Sequence, residues 1–227
     1  MISNQILYED NHLLALNKLP GQIVQGDKTG DVCLADEVKL FLKQRDAKPG
    51  HVFCGVIHRI DRPVSGVVLF AKTSKALTRM NEMVKQRAFQ KTYLAVTKNR
   101  PPQEEGRLED WLVRNERLNK VFVVKEGTPD AKLASLDYRV RGVSQGGYCL
   151  IEVDLHTGRH HQIRCQLANM GCPIKGDLKY GAPRSNPDGS ISLHAYKIVF
   201  EHPVRHERVE IVAPWNYGGM DFDVSGV

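Results

Sequence analysis

The sequence predicts a single α+β domain built round a mixed, largely antiparallel sheet, with flanking helices and a cleft between strands. Three observations lead there. Short runs rich in β-branched residues recur through the middle of the chain, whereas helical spacing of apolar residues is confined to a few brief segments. No linker rich in Gly, Ser or Pro, no internal repeat and no low-complexity tract interrupts the 227 residues, so 1–227 are read as one folded unit. A hydrophobic content of 41% is enough for a sizeable core at this length.

Element by element, Ile6–Lys18 alternates and turns at Asp10-Asn11-His12, the pattern of a β-hairpin leading into a turn at Gly21. Leu34, Val38, Phe41 and Leu42 recur at helical spacing, which predicts an amphipathic helix over Val32–Arg45, closed by Lys48-Pro49-Gly50. Val52–Ile57 and Gly66–Ala71 are short apolar runs that read as strands on either side of a polar turn. Thr73 or Ser74 can cap a helix whose Leu77, Met80 and Val84 share a face. Tyr93–Thr97 reads as a strand, and Pro101–Val143 as β-rich, with strands at Trp111–Val113, Lys120–Val124 and Ser135–Val140. Tyr148–Leu155 is a strand that delivers a Thr157-Gly158-Arg159 turn. Ile163, Leu167 and Met170 then space an amphipathic helix that stops at Gly171. Residues Ala182–Ser190 form a loop, and Ser192–Phe200 and Val209–Ala213 close the chain as strands.

Charge and cysteine usage bound the setting. Lys and Arg number 32 against 26 Asp and Glu, a net +6 that favours a polyanionic partner without identifying one. The five cysteines are odd in number and show no Cys-x-x-Cys spacing, which argues against a disulfide framework or a cysteine zinc site and fits a reducing cytoplasm. No secretory signal is evident at Met1–Gln5, and no apolar run has the length to cross a bilayer, so no membrane partner is expected.

Two basic clusters carry the chemistry. His58-Arg59-Ile60-Asp61-Arg62-Pro63-Val64-Ser65-Gly66 sets one carboxylate among cations in a turn between apolar runs, which keeps an aspartate ionised and aimed. Thr157-Gly158-Arg159-His160-His161-Gln162-Ile163-Arg164 places a second basic group at a turn opening a helix. Together they describe an anionic reaction centre within a surface that attracts RNA.

These segments resemble the RNA pseudouridine synthases of the RluA type, whose members carry an H-R-L-D-x-x-T-S-G segment around a catalytic aspartate. The likeness extends in order through Tyr8-Glu9-Asp10, Asn17-Lys18-Leu19-Pro20-Gly21, Lys91-Thr92-Tyr93-Leu94-Ala95-Val96, Pro173-Ile174-Lys175-Gly176-Asp177, Tyr180-Gly181 and Leu193-His194-Ala195. The chain is expected to open directly on the catalytic region, without the N-terminal S4-like RNA-binding domain that family members often carry. The resemblance implies a pseudouridine-synthase-type domain with a central basic cleft and a cytoplasmic, monomeric enzyme. It further implies local recognition of a stem-loop in ribosomal or transfer RNA and no obligatory protein partner.

By the same resemblance Asp61 is the catalytic carboxylate, Arg164 the arginine that pairs with it, and Tyr93 the ring stacked on the target base. Arg59 matches the arginine that enters the space left by the flipped nucleotide. A carboxylate can manage a cationic sugar carbon by covalent attack or electrostatic stabilisation, and a guanidinium can grip it through two parallel hydrogen bonds. Arg59, Arg62, Arg159 and His160 are the expected RNA contacts, with Lys72, Lys75, Arg79, Lys85, Arg87 and Lys91 as further cations that read singly as solvated surface charges. The isomerisation breaks one bond and remakes another with no net oxidation or hydrolysis, so neither cofactor nor metal is expected.

Other readings compete. A non-catalytic RNA-binding protein of the same fold is the main alternative, and the presence of Asp61, Tyr93 and Arg164 weighs against it. A glycoside hydrolase would need a second carboxylate to activate water, and none stands near the motifs. His156, His160 and His161 lack zinc spacing, and Asp177 reads as a structural hydrogen-bonding carboxylate. Val64 stands where the family often has threonine and Gln166 where histidine is frequent, departures that bear on subfamily and substrate.

Overall fold

The computed structural model describes residues 2–26 and 30–222. It divides into two compact units, Met1–Phe89 with Ala195–Pro214, and Gln90–His194 with Trp215–Val227.

In the first unit, strands β1 (Ile6–Glu9) and β2 (Leu13–Lys18) form the expected hairpin, with Asp10 accepting hydrogen bonds from the N–H groups of His12 and Leu13 to fix the turn. Strand β3 (Gly55–Val56) pairs antiparallel with β4 (Ser65–Ala71), as does β2. Strands β10 (Leu193–Glu201) and β11 (Arg208–Val212) pair antiparallel in turn, so the order within this unit runs β1-β2-β4-β10, with β11 on β10. The Val52–Ile57 run contributes only the two residues of β3, shorter than its β-branched composition suggested.

Helix α1 (Leu34–Arg45) begins two residues later than expected; its Leu34, Val38 and Leu42 are buried against Leu14, Leu16, Val68 and Phe70 of one sheet face. Helix α2 (Ser74–Lys85) is capped by Thr73, whose hydroxyl accepts from the Ala76 N–H at 3.2 Å. It covers the opposite face, where Ala76 and Met80 meet Leu13, Leu69, Phe200 and Ile211. With both faces covered, β2 and β4 are buried along nearly their whole length, which fits the apolar runs Leu13–Leu16 and Gly66–Ala71.

In the second unit β5 (Gln90–Thr97), β9 (Cys149–Leu155), β8 (Lys132–Val143), β6 (Glu105–Asn115) and β7 (Lys120–Val124) follow one another as antiparallel neighbours. Strands β6 and β8 are 11 and 12 residues long, well beyond the short runs the sequence suggested. Charged residues such as Arg107, Glu109 and Arg139 occupy their open face, and this breaks the apolar signal without breaking the strands.

Helix α3 (Gln162–Asn169) departs most from expectation. Instead of a polar face turned to water, all six residues from Gln162 to Leu167 are buried, among them Gln162, Arg164 and Gln166. Among the described residues no helix is long and apolar enough to cross a membrane.

Candidate active site

Asp61 lies, half-buried, on the turn between β3 and β4, and its carbonyl accepts from the Val64 N–H at 3.0 Å. Val64 packs in the core at 2% exposure, so an apolar residue at this position serves the fold. Gly66, which ends the motif, has φ +114, and a Cβ there would stand 2.3 Å from the Ala195 carbonyl oxygen. Only glycine allows this contact with β10, which locks the exit of the turn.

The turn is anchored from behind by β2. The Arg62 carbonyl accepts from the Gly21 N–H at 2.8 Å and from the Lys18 amine at 3.0 Å, while Lys18 also donates to the Leu19 carbonyl at 2.9 Å. Lys18, opposite Gly66 in the ladder, is fully buried. Burial lowers its pKa to about 7, although the nearby Asp61 charge favours the ammonium. The Asn17–Gly21 segment thus holds the backbone just beyond Asp61, a role its sequence did not declare; a lysine closing the apolar run Leu13–Leu16 was the available signal.

The predicted contacts around this turn differ in setting. Arg59 is exposed. Arg62, also exposed, donates to the Gly21 carbonyl at 3.1 Å and pairs with Asp31 at 2.9 Å.

In the second unit Tyr93 is 8% exposed on β5, where it pairs in register with Val153. Arg164 is 5% exposed on α3 and makes a two-pronged ion pair with Asp177, from Nε at 2.7 Å and from Nη2 at 2.9 Å. The face of the same guanidinium lies over the Tyr180 ring, 5.1 Å from its centre. Asp177 and Tyr180 therefore hold Arg164 edge-on and face-on from one short 3-10 turn. That turn is seated by Gly176, where φ is +88 and a Cβ would lie 2.7 Å from the Ser190 carbonyl oxygen. The expected structural role for Asp177 is met by this pair.

The Tyr180 hydroxyl accepts from the Val121 N–H at 2.8 Å and lies 3.0 Å from His161 Nδ1. Burial first, and then the Arg164 charge, push the His161 pKa down to about 2, so the ring is neutral. His161 also has φ +50 at the start of α3, an unusual conformation for a side chain of its size.

The turn preceding α3 explains the Thr-Gly-Arg-His-His-Gln spacing. Gln162 Oε1 accepts from the Thr157 hydroxyl at 2.7 Å and from the Arg159 N–H at 3.0 Å, and Gln162 Nε2 donates to the Ser135 carbonyl at 3.1 Å. Arg159 donates to the Leu133 carbonyl at 3.1 Å, and His160 lies 3.1 Å from the Asn119 side-chain oxygen while stacking on His161. Gln166, the residue that departs from the frequent histidine, donates to Asp110 at 2.7 Å and is buried. A neutral amide suits that enclosed position.

Comparison with known proteins accords with these features. Residues 12–169 match the family model described as RNA pseudouridylate synthase. The tRNA pseudouridine synthase C of Haemophilus influenzae is 30% identical over 92% of this chain and 92% of its own length. The ribosomal large subunit pseudouridine synthase C of Buchnera aphidicola is 31% identical over 93% of this chain and 67% of its own. Among solved structures, human RNA pseudouridylate synthase domain containing 4 superposes with a TM-score of 0.79 at 22% identity, over 97% of this chain and 95% of its own, which speaks to the fold. The chain belongs to the RNA pseudouridylate synthase family, and its activity is that of an isomerase acting on RNA.

Proposed function

We propose that this chain converts uridine to pseudouridine in a stem-loop of ribosomal or transfer RNA, with residues 1–227 working as one catalytic domain and Asp61 as its carboxylate. The family match across residues 12–169, which contains the entire Asp61 segment, carries this reading. Relatives named for ribosomal and for transfer RNA align over most of this chain, which supports both substrate classes. We assign the enzyme to the cytoplasm as a monomer, binding RNA in a basic cleft with no obligatory protein partner.

In the proposed reaction the target uridine leaves the stack at a cost of a few kcal/mol, least in an unpaired loop. The N1–C1′ bond breaks, the uracil turns, a C5–C1′ bond forms, and the proton on C5 is lost as N1 regains one. Electrons and atoms balance without a redox partner or a net water. Asp61 meets the cationic character at C1′, by attack or by charge. Arg164 pairs with and orients Asp61, and Tyr93 stacks on the base. Arg59, Arg62, Arg159 and His160 contact the RNA.

Asp61→Asn tests the assignment because it keeps the size of the side chain and removes its charge. Tritium release from C5-labelled uridine in total RNA from cells lacking the enzyme should vanish, while filter binding of the same RNA persists or tightens, since a negative charge has been lost. Wild-type release by Asp61→Asn would refute the role given to Asp61.

A further inference from the structure

We propose that Lys91, together with the Thr157-Gly158-Arg159 turn, forms a binding site for one phosphodiester of the RNA, adjacent to the base held at Tyr93. The inference rests on the reading of this chain as an RNA uridine isomerase and adds a contact that reading does not contain.

The placement follows from the strand. Lys91 is the second residue of β5 and stands two before Tyr93, so the two side chains leave the same face of the strand, roughly 6–7 Å apart. The Lys91 amine reaches the turn that precedes α3, where a Cβ built on Gly158 would lie 3.7 Å from Nζ. Any side chain at 158 would cover one side of that amine, and glycine leaves it open to a ligand.

Lys91 is not the solvated surface charge its sequence suggested. It is half-buried, and burial alone lowers its pKa, with no neighbouring charge opposing the shift. Among the described residues its amine has no hydrogen-bond acceptor and no carboxylate beside it. Four other withdrawn cations are compensated: Lys72 by Glu9 and the Asp10 carbonyl, Lys18 by two carbonyls, Arg141 by Glu152, Lys175 by Asn186. A half-buried ammonium without an acceptor is unfavourable until an anion joins it. In an enzyme acting on RNA that anion is a backbone phosphate, and proximity to Tyr93 assigns it to the target nucleotide or its immediate neighbour.

The experiment measures RNA binding as a function of salt in the Asp61→Asn background, so that the RNA is not consumed. Lys91→Gln should flatten the slope of log affinity against log salt by about 0.7–0.9, the equivalent of one phosphate contact, and Lys91→Arg should restore it. Replacing single linkages beside the target uridine with uncharged methylphosphonates should weaken binding at one linkage, and Lys91→Gln should erase that penalty. An unchanged slope with an unchanged methylphosphonate penalty would overturn the proposal, as would the absence of any sensitive linkage for a protein that retains Lys91. If Lys91→Gln fails to fold, Lys91→Met, which keeps the aliphatic stem and removes the charge, takes its place in both arms. Absence of tritium release by wild-type protein would instead overturn the underlying functional reading.

Discussion

Removing the Asp177 carboxylate isolates the contribution of the grip on Arg164. Both partners are almost fully enclosed, at 5% exposure for Arg164 and 1% for Asp177, and the pair is joined by two charge-assisted hydrogen bonds of 2.7 and 2.9 Å. Water does not compensate at that depth, so Asp177→Ala leaves a guanidinium with its Nε edge deprived of its acceptor. Breaking one side of a buried pair costs about 3–5 kcal/mol. For a chain of this size each kcal/mol lowers Tm by about 2–4 °C, so a fall of about 6–20 °C is expected in a thermal melt. Asp177→Asn keeps the size of the side chain and one acceptor oxygen for the guanidinium, and should recover part of that loss. The two melts together separate charge pairing from packing. If Asp177→Ala melts within a degree or two of wild type, or if Asp177→Asn is less stable than Asp177→Ala, the account of this turn is wrong.

Two further outcomes follow from the same geometry. His161 is held neutral with its pKa near 2 in the fold, well below the unfolded value of about 6.5. Below that pH the unfolded chain therefore binds a proton the folded chain refuses, and stability falls. Relative to His161→Asn, which tolerates a positive φ, wild type should lose up to about 1.4 kcal/mol per pH unit below 6.5 in urea unfolding; parallel pH profiles would contradict it. Gly66→Ala places a methyl 2.3 Å from the Ala195 carbonyl oxygen, so a drop in Tm together with loss of tritium release is expected, and an unaltered variant would show that the Asp61 turn is not seated this way.

What could be read from the chain follows from how locally each feature is encoded. Helices α1 and α2 repeat their apolar residues on one stripe, and Thr73 announces the start of α2, so both were visible to within a residue or two. The hairpin at Asp10 and strand β4 after Asp61 were visible through their short apolar runs, whereas the strand before Asp61 was overextended, only Gly55–Val56 of the Val52–Ile57 run pairing. Strands β6 and β8 were foreshortened because their open face bears charges, and α3 looked amphipathic because its polar residues face neighbours that sequence spacing does not show. Asp61, Tyr93 and Arg164 stood out through ordered motifs. The contacts that hold their neighbourhood could not, since Lys18 reaches a carbonyl 44 positions away and Arg164 meets Asp177 and Tyr180 only after α3 has folded over the sheet. The Gly176-Asp177 and Tyr180-Gly181 pairs were noticed as motif fragments, but their joint role depends on a guanidinium between them.

The central claim is that this chain makes pseudouridine in RNA through Asp61, and the direct measurement is a transcriptome-wide map of pseudouridine in cells with the gene, without it, and without it but supplied with Asp61→Asn. The account predicts that one or more positions in ribosomal or transfer RNA revert to uridine on deletion, return with the wild-type protein and stay uridine with Asp61→Asn. An unchanged map on deletion, or restoration of the missing positions by Asp61→Asn, would contradict it.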